Sequence, residues 1–172
     1  MAVCLSLLVA CLPGTVHAMM ADNPLGDTVA QIPEDGHMDA NYGTVTTVDG
    51  ELNHNHGTVT THNGIMSYNN GTIVTNNGEV LKNEATGVVE SNKASVVDNY
   101  GTVTCNEGSV NSNYGTVSCN KATVSYNSGT VTNNQGTVEY NLCGTVNGGE
   151  VLNDYAYKIE AVRDWLFEQV KA

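Results

Sequence analysis

The 172 residues carry 6 basic and 18 acidic side chains, a formal net charge of −12 that excludes nucleic-acid phosphates and disfavours anionic membrane surfaces as partners. Hydrophobic residues make up 40% of the chain, but they are mostly single valines spread evenly, which excludes an ordinary large globular core. The acids, among them Asp22, Glu34, Asp49, Glu79 and Glu107, are scattered and read as a soluble, self-repelling surface.

In chain order, the first element is an apolar run from Ala2 to Leu12, followed by Val16-His17-Ala18, a small-x-small cleavage site. Residues 1–18 therefore read as a secretory signal, too short to span a bilayer, and the mature protein is expected to be secreted or displayed at the cell surface. Leu8-Val9-Ala10-Cys11 also resembles a bacterial lipobox, which would put a lipid anchor on Cys11. Cleavage at Ala18 would leave three cysteines, Cys105, Cys119 and Cys143. Residues 19–40, with Pro24, Pro33 and a degenerate half-coil at Asp35-Gly36-His37-Met38, suit an N-terminal cap over an exposed strand edge.

From Asn41 the sequence repeats Asn-x-Gly-Thr-Val-x-x every seven residues, as in Asn41 to Thr47 and Asn99 to Cys105. A heptad with one apolar position, a Gly and an Asn is a poor helix and a poor coiled coil. Thr-Val-Thr is instead a short strand and Asn-x-Gly a turn, so two heptads close one coil of fourteen residues. The fold class that follows is all-β: a parallel β-solenoid over residues 41–153, about eight coils in a rod of roughly 38 Å. Val45, Leu52, Val59, Met66, Ile73, Val80 and their successors to Val138 face inward, and the Asn column turns in at the corners. A two-residue slip near Asn83 to Gly87 reads as a bulge in one turn, and the irregular stretch from Asn141 to Gly149 as the end of the regular stack. Residues 154–172 read as a C-terminal capping helix, with Ile159, Val162, Leu166 and Val170 at helical spacing.

The two halves of the coil differ. Alternate half-coils present the outward pairs Thr44/Thr46, Thr58/Thr60, Thr72/Val74, Thr102/Thr104, Thr116/Ser118 and Thr130/Thr132, and Thr86/Val88 fits the same face if the slip is absorbed in a turn. The other half-coils give mixed pairs such as Glu51/Asn53 and Ser109/Asn111. Double files of threonine repeat at about 6.8 Å along a strand and 4.8 Å between strands, an uncharged array that can order surface water. In these files the chain resembles the β-solenoid antifreeze proteins of insects and grasses. It is similar to the grass type in pairing heptads around an Asn column, although here Gly precedes Val where the grass repeat runs Asn-x-Val-x-Gly. The resemblance implies an ice surface as ligand and the Thr pairs, with Ser118, as the binding residues.

Two other columns carry chemistry. Cys105 and Cys119 share a heptad position fourteen residues apart, so their Cα atoms fall on adjacent coils about 4.8 Å apart, within reach of a disulfide; two reduced, half-buried thiols fit the spacing equally. Tyr42, Tyr100 and Tyr114 follow the Asn, Tyr68, Tyr126 and Tyr140 precede it, and all six map near one corner. That edge supports the rival reading, an adhesin or spacer that binds an extracellular glycan or protein. No cofactor, metal or catalytic constellation is read from the sequence: straight files of like groups do not converge as an active site must. His54, His56 and His62, near Asp49 and Glu51, read as solvated turn residues.

Overall fold

β-Branched residues fit a pleated surface and Asn-x-Gly fits a tight turn, so the repeat alternates strand and corner without interruption. The computed structural model describes residues 18–171. The signal and lipid-anchor readings fall on residues 1–17, outside the described residues, apart from Ala18, which opens β1.

One sheet of ten parallel strands holds β1 (Ala18–Met20), β3 (Gly36–Asn41), β5 (Glu51–Asn55), β7 (Ile65–Asn69), β9 (Glu79–Asn83), β11 (Ser95–Asn99), β13 (Ser109–Asn113), β15 (Thr123–Asn127), β17 (Thr137–Asn141) and β19 (Glu150–Asp154). The facing sheet holds nine: β2 (Thr28–Ile32), β4 (Thr44–Val48), β6 (Thr58–His62), β8 (Thr72–Asn76), β10 (Val88–Asn92), β12 (Thr102–Asn106), β14 (Thr116–Val117), β16 (Thr130–Val131) and β18 (Thr145–Val146). Successive strands alternate between sheets, and each pairs in parallel with the strand two places on, which is the topology of a β-solenoid. Coils extend through residues 18–40, where β2 lies in register on β4 and β3 on β5.

The sequence slips are absorbed outside the strands. Asn83 pairs with Asn69 at an offset of fourteen and with Asn99 at sixteen, so the turn from Glu84 to Gly87 takes up the two extra residues. Further on, the register advances from Thr130 to Thr145, one residue long, and then from Thr137 to Glu150, one residue short. Cys143 sits in the first corner, and Gly148 and Gly149 turn the second at φ of 84° and 66°. The stack therefore continues to Asp154 instead of ending near Asn141.

Valine, leucine, isoleucine and methionine from both sheets fill a core one side chain deep, and Val45, Leu52, Val59, Met66, Ile73 and the later valines to Val138 are fully buried. In a five-residue strand the buried positions are the second and the fifth, as Val59 and His62 in β6, so the fourth residue rolls toward the corner. The fifth positions form two amide ladders. At one corner Asn23, Asn41, Asn55, Asn69, Asn83, Asn99, Asn113, Asn127 and Asn141 each donate Nδ2 to the next side chain at 2.7–3.0 Å, and the ladder ends on Asp154 Oδ1. At the other, Asn76, Asn92, Asn106 and Asn120 do the same at 2.7–2.8 Å, and the last rung, Asn134, donates to the Gly148 carbonyl at 3.0 Å. Buried amides are tolerated because within each ladder they find partners above and below; the first rung is the exception, Asn23 Oδ1 being buried without a partner. A Cβ at the corner glycines would run into the preceding coil, at Gly115 into the Gly101 carbonyl.

Asp154 Oδ1 also accepts the Ala156 amide at 3.1 Å, so the last rung of the ladder doubles as the N-cap of α1 (Tyr155–Lys171). The helix forms, but Val162, Trp165, Leu166 and Phe167 are exposed instead of packed on the last coil. Among the described residues no helix is long and apolar enough to cross a membrane.

Candidate functional site: a threonine face

The even-numbered strands carry the threonine pairs outward on one sheet. Thr28, Thr44, Thr58 and Thr72 lie in register, and so do Thr102, Thr116, Thr130 and Thr145. The second file runs through Thr46 and Thr60, and resumes through Thr104, Ser118 and Thr132. Thr46, Thr60 and Thr104 are exposed; the first file is half-buried from Thr44 to Thr130, where each side chain is flanked on the neighbouring coils, and exposed at its ends, Thr28 and Thr145. Thr132 Oγ1 donates to the Ser118 carbonyl at 2.9 Å, which turns one hydroxyl back toward the backbone.

The face is interrupted once. Val88 occupies the column between Thr72 and Thr102, which places Glu90 outward in the second file beside Val74. Thr86, aligned with the face by its chemistry, instead sits in the inserted turn and donates to the Asn70 carbonyl at 3.1 Å. Two threonine patches result, on β2 to β8 and on β12 to β18.

Charge separates this face from the opposite one. Outward strand positions on β4 to β18 include a single carboxylate, Glu90, and no lysine or arginine. The equivalent positions on β3 to β19 carry Asp39, Glu51, Glu79, Glu139 and Glu150. At the start of that mixed face His37 lies 3.0 Å from Asp39 and 3.2 Å from Glu51. The hydrogen bond to Asp39 raises the imidazole pKa, Glu51 adds to it, and His37 in turn lowers Asp39. This cluster was not singled out from the sequence, although the fourteen-residue offset from His37 to Glu51 encodes it.

The six tyrosines flank the longer amide ladder at one corner. Tyr100 and Tyr114 stack at 4.8 Å, Tyr126 and Tyr140 at 5.2 Å, and Lys82 lies 5.0 Å over the Tyr100 ring. Tyr42 stacks on His56 at 5.0 Å and Tyr68 on His54 at 5.1 Å, so two of the three histidines join the aromatic edge. Stacking covers one face of each ring, and Tyr42, Tyr68, Tyr100, Tyr114 and Tyr126 stay exposed to a partner. The third histidine, His62, is fully buried at the opposite corner, where Nε2–H donates to the Glu79 carbonyl at 3.1 Å and Nδ1 has no partner. Desolvation lowers its pKa. That opposite corner is polar outside, with Asn63 donating to Asp49 and Lys121 pairing with Glu107 at 2.9 Å.

Cys105, fourth in β12, and Cys119, two residues past β14 at the equivalent place on the next coil, are half-buried and stand as free thiols with Sγ atoms 3.6 Å apart. Cys143 is exposed at the aromatic corner. The chain matches no family model, no curated protein and no solved structure. A β-solenoid with in-register threonine ladders is what the molecule presents, and it suits contact with a repetitive surface.

Proposed function

We propose that the threonine face binds ice, and that the protein acts as a non-catalytic, exported ice-binding scaffold. The carrying observation is the in-register threonine file on β4 to β8 and β12 to β18, doubled by a second threonine on β4, β6 and β12 and just past β16, and held on a sheet nearly free of charge. Hydroxyls and methyls at about 4.8 Å and 6.8 Å repeats offer water a lattice to match, and rigid strands hold that lattice without ordering cost on contact. Purified protein should shape ice crystals and show thermal hysteresis. Thr58→Tyr and Thr102→Tyr, one in each patch, should each weaken the effect, and together they should abolish it with the circular dichroism spectrum unchanged. Wild-type protein that leaves ice growth unaltered at millimolar concentration would end this reading. The aromatic corner would then lead, tested by glycan and protein binding sensitive to Tyr100→Ala and Tyr114→Ala.

A further inference from the structure

The facing sheet changes width along the rod. Strands β4 to β12 are five residues long, whereas β14, β16 and β18 are two. Regular pairing between β12 and β14 covers Thr102 to Thr116 and Val103 to Val117, and beyond it only the single bridge Asn106 to Asn120 continues the ladder. Cys105 and Cys119 lie just beyond that point, one on each coil, with Sγ atoms 3.6 Å apart. Their backbones are already held together: Ser118 N donates to the Val103 carbonyl at 2.9 Å and Asn106 N to the Cys119 carbonyl at 2.7 Å. Asn106 and Asn120, the next residues in each coil, are tied by the amide ladder at 2.8 Å. Neighbouring parallel strands hold equivalent Cα atoms near 4.8 Å, inside the range a disulfide accepts.

We propose that Cys105 and Cys119 are a modification site, closing into a cross-coil disulfide that staples the sheet where its hydrogen-bonded ladder narrows. The co-reactant is a small-molecule disulfide such as oxidised glutathione. One protein thiolate attacks a sulfur of the glutathione disulfide, the S–S bond breaks, and one glutathione leaves as thiolate. The second protein thiolate then attacks the cysteine sulfur of that mixed disulfide, and the second glutathione leaves. The two protein sulfurs lose two electrons to the glutathione disulfide, and the two protons that their thiols release are taken up, through solvent, by the two departing glutathione thiolates, giving two thiols. Cys143 lies at the opposite corner and keeps its thiol. Burial, and then the hydrogen bond with Cys119, push the Cys105 thiol pKa up, so closure should accelerate with rising pH.

The test treats the full chain with oxidised and reduced glutathione at pH 8, quenches with acid, alkylates, and cleaves after glutamate. Glu90, Glu107, Glu139 and Glu150 place the three cysteines on separate peptides. The expected result is one cross-linked pair, Cys105 with Cys119, and alkylated Cys143. Recovery of Cys105 and Cys119 as alkylated or separately glutathionylated residues, or a link from either to Cys143, would overturn the proposal. A staple closing a loop of about fifteen residues should raise the melting temperature by about 6–12 °C over the reduced protein. Adding reductant to wild type should erase the rise, and the Cys105→Ser/Cys119→Ser double variant should show no oxidant-dependent shift. Equal melting temperatures for the linked and reduced protein would refute the stapling role.

Discussion

Replacing Asn99 by alanine tests whether the buried amide ladder holds the coils together. Asn99 is fully buried; its Nδ2 donates to Asn113 Oδ1 at 2.8 Å and to the Thr116 carbonyl at 3.3 Å, and its Oδ1 accepts from Asn83 at 2.8 Å. Alanine leaves Asn113 Oδ1 without the amide that fills it, a desolvated acceptor worth about 1–3 kcal/mol. Asn83 Nδ2 keeps a contact to the Gly87 carbonyl at 3.2 Å, so its loss is nearer one ordinary hydrogen bond, about 1 kcal/mol. The sum, about 2–4 kcal/mol, lowers the folding equilibrium constant roughly 30- to 1,000-fold and moves a urea midpoint by about 1–2 M at unchanged slope. Asn77→Ala is the control, since Asn77 is exposed and donates only sideways, to Asn63 at 2.9 Å; it should cost under about 0.5 kcal/mol. Asn99→Asp adds a signature: a buried carboxylate facing Asn113 Oδ1 repels it, while a protonated one can donate, so that variant should regain stability as pH falls. Equal midpoint shifts for Asn99→Ala and Asn77→Ala would show that the ladder adds nothing beyond surface amides.

His62 occupies a ladder position with a lowered pKa caused by burial, so its folded form is neutral; that contribution is complete above the unfolded value near 6.5 and is lost as pH falls through it. His62→Asn, which offers an amide to Asn76, should therefore flatten the decline in stability between pH 7.5 and 5.5, measured by urea titration at each pH. Gly115→Ala puts a methyl into the Gly101 carbonyl and should destabilise by about 1–3 kcal/mol in the same assay, through the neighbouring coil and not through backbone strain. Glu90→Thr removes the one carboxylate between the two threonine patches and adds a threonine to the second file; Glu90 is exposed, so stability should change by less than about 0.5 kcal/mol while thermal hysteresis rises, and a fall in hysteresis would contradict the assigned face.

The architecture was legible because every coil meets copies of itself. Val103 packs in a column of valines and Asn99 bonds to asparagines, so the environment imposes one residue type per column and the period surfaces in the sequence. Positions that break the column were harder. Glu84, Ala85 and Thr86 could be counted as an insertion, but chemical likeness pulled Thr86 onto the threonine face, whereas the Val88 register puts it in the turn. The single Asn column read from the sequence is two ladders, because both half-coils use Asn at the fifth strand position and only the fold assigns them to opposite corners. Rolling of the fourth residue brings His54 onto Tyr68, a contact invisible to strict alternation. The helix was visible in its 3.6-residue spacing, yet spacing gives an apolar face without naming what covers it, and Val162, Trp165 and Leu166 lie exposed.

Strand propensity alone does not account for the threonine face. Both sheets are parallel stacks with apolar inward columns, and β3 to β12 are strands of five or six residues in both, so any preference of β strands for threonine acts on both alike. Stability is carried inside, by valines and amides, and leaves the outward positions of either sheet open to almost any polar residue. On the odd-numbered strands those positions drift through Glu51, Ile65, Glu79, Ser95 and Thr123, as a chain with 18 acidic residues allows. On the even-numbered strands the same positions run Thr44, Thr58, Thr72, Val88, Thr102, Thr116 and Thr130, and in the neighbouring file Glu90 is the one carboxylate. The difference between the two faces is one that core packing and strand pairing do not account for, and it supports the proposed reading, since a repetitive, nearly uncharged file suits contact with a regular, uncharged surface.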